Sequence, residues 1–371
     1  MRIGVDARPL SYQLTGIGVY LRHLLDTLQK IDRSNYYYLL SNAPIEFNLN
    51  NEKWVKIGGS FKKKLVSTIW MQAWTPILAH SLNLNIFWGP RHNLPLLLPS
   101  KVKTVLTIHD IVHRLHPTTM AKRNFISERL FMRCSLIKAD TIITDSRSTA
   151  KDIQQNYPIN SKKIQTIHLG IPDLPSDIII DTSTNPIINK NYFLFVGTLD
   201  PRKNFKRILK AFELLKPQQY DVHLALIGGQ GWKNKTFWKS LKIHPLKEYI
   251  HYIGYVDRGE LAEYYRNALC LLFPSLYEGF GFPILEAMAC GTPVISSNIS
   301  SMPEIAGDAA ILVDPYNVVA LAKAMHKVLT DGKLRKVLIK KGFGRVKNFS
   351  WEQCATDTLK VFSLLADRPS R

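Results

Sequence analysis

The sequence predicts an α/β protein made of two doubly wound parallel-sheet domains, and three observations carry that prediction. The chain has 371 residues, too many for one ordinary core and suited to two domains of roughly 100–200 residues each. Short β-rich apolar runs alternate with longer amphipathic segments, the pattern of parallel sheets with crossover helices. The alternation stops once, in a Pro-, Ser- and Thr-rich stretch from Pro172 to Asn191, and then restarts.

In the first half the expected strands are Arg2–Asp6, Tyr36–Leu40, Asn85–Trp88, Thr104–Ile108, Thr141–Thr144 and Ile164–His168, with helices including Gly18–Gln29 and Met120–Lys138. After the linker come strands at Tyr192–Val196, His223–Ile227, His251–Ile253, Leu269–Phe273, Pro293–Ser296 and Ala310–Val313. Helices fit Phe205–Leu215, Arg258–Asn267, Gly281–Cys290 and Val318–Leu329. Domains are therefore placed at 1–175 and 191–348, with a linker at 176–190. The amphipathic segment Phe349–Leu365, within 349–371, is expected to pack back on the first domain. Ligand crevices in such folds lie at the carboxyl ends of strands, where helix N-termini also point.

Hydrophobic content of 46% with 21% charged residues excludes a chain disordered as a whole. The opening MRIGVDARPL lacks the basic region, apolar stretch and cleavage site of a secretory signal. No run approaches the roughly 18–20 apolar residues of a membrane span. These features predict a soluble or at most peripheral cytoplasmic protein. Four scattered cysteines, none in a C-x-x-C pair, point to a reducing compartment without structural zinc. The formal charge of +20 divides evenly, with 23 Lys+Arg against 13 Asp+Glu in residues 1–185 and 26 against 16 thereafter. Between Lys53 and Lys138, however, 14 basic residues face only Asp110 and Glu128. Such a surface attracts phosphate on anionic lipid, on a lipid-linked acceptor or on nucleic acid; solvated lysines are the plain alternative.

The densest motif is Glu278-Gly-Phe-Gly-Phe-Pro-Ile-Leu-Glu286, a glycine-rich turn between a strand and a helix. Gly279 and Gly281 let backbone N–H groups approach a ligand, and carboxylates there suit the hydroxyls of a polyol. A capped helix with a staple-like Phe282 explains the same residues without a ligand. A second strand-to-helix turn runs from Gly197 through Asp200-Pro201-Arg202-Lys203-Asn204. Arg202 offers a planar fork and Lys203 a point charge, a plausible diphosphate clamp that Gly197 leaves room to approach. Asp200-Pro201 as N-cap and first helical residue explains that turn structurally. Thr15-Gly16-Ile17-Gly18 and Thr107-Ile108-His109-Asp110 are weaker: a lone G-x-G serves many turns, and His109 is as readily a satisfied structural histidine as a functional one. No H-E-x-x-H, Walker A loop, Ser/His/Asp order or zinc spacing is present, which removes protease, P-loop NTPase and metallohydrolase readings. Glycosidases place two carboxylates about 5–9.5 Å apart across one bond, whereas Glu278 and Glu286 are separated by a helical turn or more.

Glu278 and Glu286, preceded by Phe273-Pro274-Ser275, resemble the E-x7-E motif of the retaining glycosyltransferases of family four, which have the GT-B fold: two Rossmann-like domains facing a cleft. The resemblance spans nearly the whole chain, through Asp6-Ala7-Arg8, Gly16-Ile17-Gly18, Ile108-His109-Asp110, Thr144-Asp145-Ser146-Arg147-Ser148, His168-Leu169-Gly170-Ile171, Gly197 to Asn204, Ile253-Gly254-Tyr255-Val256, Ala289-Cys290-Gly291-Thr292-Pro293-Val294 and Phe349-Ser350-Trp351. It implies that Arg202 and Lys203 hold the donor diphosphate, that Glu286 binds ribose hydroxyls and that Glu278 binds the transferred sugar. It implies further that Tyr255 and Val256 line the base and that Gly279, Phe280, Gly281, Phe282 and Leu285 contact the donor. Gly16 and Gly18 would border the phosphate and acceptor, with His109 beside the sugar and a catalytic role for His109, Arg202, Lys203 and Glu278. No metal or other cofactor is implied. The segment Phe87-Trp88-Gly89-Pro90-Arg91-His92-Asn93-Leu94-Pro95 looks most similar to bacterial mannosyl- and rhamnosyl-transferases of O-antigen and other surface polysaccharides. That similarity implies a GDP-sugar donor and a lipid-linked or oligosaccharide acceptor. It also implies work at the inner face of the cytoplasmic membrane, with Lys62-Lys63-Lys64 and Trp74 near anionic lipid or Ile69–Leu82 as an ordinary core helix. A sugar-nucleotide epimerase, a glycan phosphorylase or a basic nucleic-acid binder are the competing readings, the last without any binding motif.

Overall fold

The computed structural model describes residues 1–11, 16–59, 64–119, 122–175, 186–231, 238, 241 and 243–367. Thr15, Lys62 and Lys63, Met120, and residues 176–185 of the expected linker lie outside the described residues. The chain divides into two compact units, Met1–Pro172 with Phe349–Arg371, and Asp173–Asn348.

The first unit is built on a seven-stranded parallel sheet in the order β3-β2-β1-β4-β5-β6-β7. The strands are β1 (Arg2–Asp6), β2 (Tyr36–Ser41), β3 (Trp54–Gly58), β4 (Ile86–Gly89), β5 (Lys103–Ile108), β6 (Thr141–Thr144) and β7 (Ile164–Thr166). Helices α1 (Gly16–Ile31), α2 (Lys64–Ser81), α3 (Val112–Leu115), α4 (Lys122–Lys138) and α5 (Arg147–Asn156) connect them. Central strands read as continuous apolar runs because helices cover both faces, and every residue of β5 and β6 is buried. At the end of β1, Arg8 grips Asp6 through two 2.7 Å bonds and reaches the Ser67 carbonyl at 2.8 Å. The Asp6-Ala7-Arg8 motif is thus a buried bidentate pair that ties β1 to α2. The C-terminal helix, running from Trp351 to Ala366, packs on α1 as expected, with the Trp351 ring stacked on His23 at 5.3 Å.

The second unit carries a six-stranded parallel sheet in the order β10-β9-β8-β11-β12-β13. Its strands are β8 (Asn191–Val196), β9 (Val222–Ile227), β10 (Ile250–Gly254), β11 (Cys270–Phe273), β12 (Val294–Ser297) and β13 (Ile311–Val313). Among its helices are α6 (Phe205–Leu215), α7 (Arg258–Asn267), α8 (Phe282–Ala289), α9 (Met302–Ala306), α10 (Val318–Thr330) and α11 (Gly332–Val346); the final helix is α12 (Trp351–Ala366) of the first unit. In both sheets the order reverses beside the first strand, at β1/β4 and at β8/β11. These are the topological switch points where loops leave the sheet in opposite directions and open a crevice.

Three elements depart from the sequence reading. β3 is an edge strand with one buried residue, Trp54, so no alternation announces it. α5 is short on apolar residues and α11 buries only Leu338 and Gly342; the two are capped by Ser146 and Asp331, whose side chains accept from Thr149 and Leu334 backbone N–H groups. The second compact unit begins at Asp173, and the Asp173 and Pro175 carbonyls accept from Arg258 and Arg266 of α7.

Candidate active site

The second unit's switch point assembles the strongest charge cluster. β8 ends at Val196 and the chain turns through Gly197, whose φ of 141° only glycine adopts readily. A 3₁₀ turn, Pro201–Lys203, then presents two adjacent cations. From the neighbouring β11 the chain enters the Glu278 turn, which closes at Gly281 with φ 118° as the cap of α8. Arg202 Nη1 lies 2.6 Å and Lys203 Nζ 2.7 Å from the two oxygens of Glu278. Arg202 also donates to the Tyr277 carbonyl at 2.5 Å, and Leu276 N donates back to the Arg202 carbonyl at 2.8 Å. The two loops are thereby one object.

Burial alone would raise the Glu278 pKa, but Arg202 and Lys203 outweigh it and hold the carboxyl at about 2. Lys203 moves down from the ordinary lysine value, since burial of its ammonium outweighs the attraction of Glu278. The ammonium sits 4.8 Å from the centre of the Phe273 ring. A cation so poorly hydrated gains strongly from a second anion, and a diphosphate supplies one.

Serines brace the Glu278 turn from below. Ser300 Oγ accepts from Glu278 N at 3.1 Å and donates to its carbonyl at 2.7 Å, while Ser301 Oγ donates to the Phe280 carbonyl at 2.7 Å. Asn204 joins three strand ends: its Nδ2 donates to the Pro274 carbonyl at 2.9 Å and the Pro315 carbonyl at 2.7 Å. It occupies the left-handed region with φ 62°, which asparagine tolerates better than most residues. Sequence reasoning assigned Asn204 no role, and its only cue was its place after Arg202-Lys203.

Glu286, on the second turn of α8, does not join the Glu278 cluster. Its carboxylate receives Arg258 Nη2 at 3.2 Å on one oxygen and the Tyr265 hydroxyl at 3.0 Å on the other. Tyr255 and Val256 follow the carboxyl end of β10, the outermost strand of the sheet, Tyr255 being 74% exposed. Gly279 and Phe282 are half-buried, and Phe280 is buried with its ring edge-on to Phe282 at 5.4 Å. The Leu285 side chain is fully buried in the unit's interior.

His109 follows β5 in the first unit, buried, with Nδ1 2.5 Å from Asp145 Oδ2 and Nε2 2.9 Å from the Pro90 carbonyl oxygen. A carbonyl only accepts, so Nε2 carries the proton in its bond to Pro90. Burial would lower the pKa of His109, but Asp145 and the Pro90 carbonyl outweigh it and raise it. Tyr20 sits edge-on to the ring at 4.9 Å, and His92 Nε2 accepts from the His109 backbone N–H at 3.0 Å. Both ring nitrogens of His109 are thus anchored within the first unit. Gly16 begins α1 in open space and Gly18, two residues on, is buried. Among the described residues, no group of three or more His, Cys, Asp or Glu is placed to hold a metal ion.

Residues 180–345 match the family described as Glycosyl transferases group 1, and residues 15–173 match Glycosyltransferase Family 4. The chain is 30% identical to O-antigen chain mannosyltransferase B of Escherichia coli, over 98% of this chain and 100% of that protein. Among solved structures, sucrose-phosphate synthase from Thermosynechococcus elongatus superposes with a TM-score of 0.75 at 20% identity, covering 98% and 99% of the two chains. Anabaena HepE in complex with UDP and glucose superposes at 0.74 with 16% identity, covering 98% and 100%. Such likenesses mark the GT-B architecture.

Proposed function

The chain belongs to the glycosyltransferases of family four, and from that premise we propose that it is a retaining mannosyltransferase that uses a GDP-sugar, with rhamnose the second candidate sugar. The acceptor in this reading is a lipid-linked or polysaccharide glycan of the O-antigen type. The full-length likeness to an O-antigen mannosyltransferase supports the sugar and the pathway class. The single observation that carries the chemistry is the convergence of Arg202, Lys203 and Glu278 at the β8/β11 switch point.

The mechanism follows from charge. Breaking the bond between the sugar and the diphosphate leaves an oxocarbenium-like sugar and a leaving group richer in negative charge. Arg202 and Lys203 are already oriented and largely stripped of water, so they stabilise that charge without reorganising. Glu278 keeps the cations in place before the donor arrives and accepts hydrogen bonds from sugar hydroxyls afterwards. Its low pKa keeps it ionised at any physiological pH. A donor phosphate oxygen takes the acceptor proton, and no divalent metal is required. Lys203→Ala is expected to lower kcat by about 10²–10³, the cost of removing one preorganised donor to a developing charge. The assay follows GDP release from GDP-mannose on a lipid-linked acceptor, with UDP- and dTDP-sugars in parallel. Full turnover in Lys203→Ala defeats the proposal.

Peripheral attachment to anionic membrane belongs to the same reading. Ile69, Trp74 and Ile77 of α2 are 60%, 57% and 57% exposed, within the basic stretch 53–138. An apolar stripe beside cations suits an anionic interface. No helix among the described residues is long and apolar enough to cross a membrane. Flotation with anionic vesicles, lost on Trp74→Asp and absent with neutral lipid, is the expected result.

A further inference from the structure

We propose that Arg258 is a specificity-determining residue that orients the Glu286 carboxylate to receive the two vicinal hydroxyls of a ribose. The inference rests on the assignment of Glu286 to the donor ribose. A carboxylate has about four lone-pair positions. Arg258 Nη2 takes one on Oε1 and the Tyr265 hydroxyl takes one on Oε2, which among the described residues leaves one on each oxygen. Two acceptors at the spacing of a single carboxylate match two adjacent hydroxyls.

Arg258 is itself fixed. It is the first residue of α7, whose N-cap Asp257 accepts from Glu260 N at 2.9 Å, and its Nε donates to the Asp173 carbonyl at 2.9 Å. The guanidinium therefore bridges Asp173 and Glu286 with two separate donors, which a planar fork does and a single ammonium does not. Its position two residues after Val256 puts it where the loop assigned to the base enters α7. The loop and the helix start that follows it thus carry the wall for the base and the post that aims the ribose acceptor. The Tyr265 hydroxyl stays protonated, since burial and then Glu286 push its pKa well above the usual value, so its bond to Oε2 persists. A role in stability alone would leave the choice between ribose and deoxyribose untouched.

The experiment measures Kd for GDP and 2′-deoxy-GDP by calorimetry, with UDP and 2′-deoxy-UDP in parallel, on wild type, Arg258→Met and Arg258→Lys. Wild type should prefer the ribose form by about tenfold, the usual cost of one charge-assisted hydrogen bond. In Arg258→Met the preference should fall below about twofold, with donor KM raised and kcat at saturation kept. Arg258→Lys retains the charge but cannot bridge both partners, and should lose most of the preference. A wild type that ignores the 2′-hydroxyl with both bases overturns the Glu286 assignment and this proposal with it. A wild type that discriminates, beside variants that discriminate equally, overturns the role of Arg258 alone.

Discussion

Glu278→Gln separates the electrostatic part of the site from its ligand chemistry. The folded carboxyl is held at about 2 against an ordinary 4.5, a depression worth about 3 kcal/mol at roughly 1.4 kcal/mol per pKa unit. All three side chains of the cluster are less than a fifth exposed, so solvent screening removes little of this. The partners do not move symmetrically: Lys203 is shifted down, not up, because burying its ammonium costs more than Glu278 returns. The intact pair is therefore worth less than the Glu278 shift alone implies. Removing only the carboxylate is a different matter, because two cations then stay buried without a counter-charge, and breaking such a pair costs about 3–5 kcal/mol. Taking about 3 kcal/mol, and about 2–4 °C per kcal/mol for a domain of this size, Tm should fall by roughly 6–12 °C. The assay is differential scanning fluorimetry with and without GDP. Because GDP supplies the missing negative charge, its stabilising shift should be larger in Glu278→Gln than in wild type. A variant that melts within about 1 °C of wild type, or gains no more from GDP, refutes the reasoning. The pH dependence carries the same sign: Glu278 is depressed, so its contribution is complete above 4.5 and is lost as pH falls towards about 2.

Two further outcomes are expected. Asn204→Ala removes donors to two buried carbonyls and leaves a poorly suited residue in the left-handed region, so it should cost about 2–4 kcal/mol and lower kcat, read by urea unfolding and turnover. His109 has a raised pKa, so its stabilisation of the first unit is complete below the ordinary histidine value and fades as pH rises through the folded one. Asp145→Asn should flatten that decline in Tm above pH 6.5, and an unchanged profile counts against a charged His109.

The sequence by itself determined what repeats locally. Strand β6 at Thr141–Thr144 and helices α6 and α7 coincide with their predicted bounds, because periodicity and capping act within a few residues. The Arg202-Lys203 pair and the two glutamates with seven residues between them were legible as motifs for the same reason. The edge strand β3 was not, since a strand with one buried residue has no alternation to show. Only the tertiary structure decided who pairs with whom. Arg202 meets the Tyr277 carbonyl across 75 residues because the doubly wound order sets β8 beside β11, a neighbourhood that no spacing along the chain encodes. The same long-range order gave Glu286 to Arg258 and Tyr265 and both nitrogens of His109 to Asp145 and Pro90. A charged side chain's chemistry depends on its counter-charge and its distance from water, and both are properties of the folded neighbourhood.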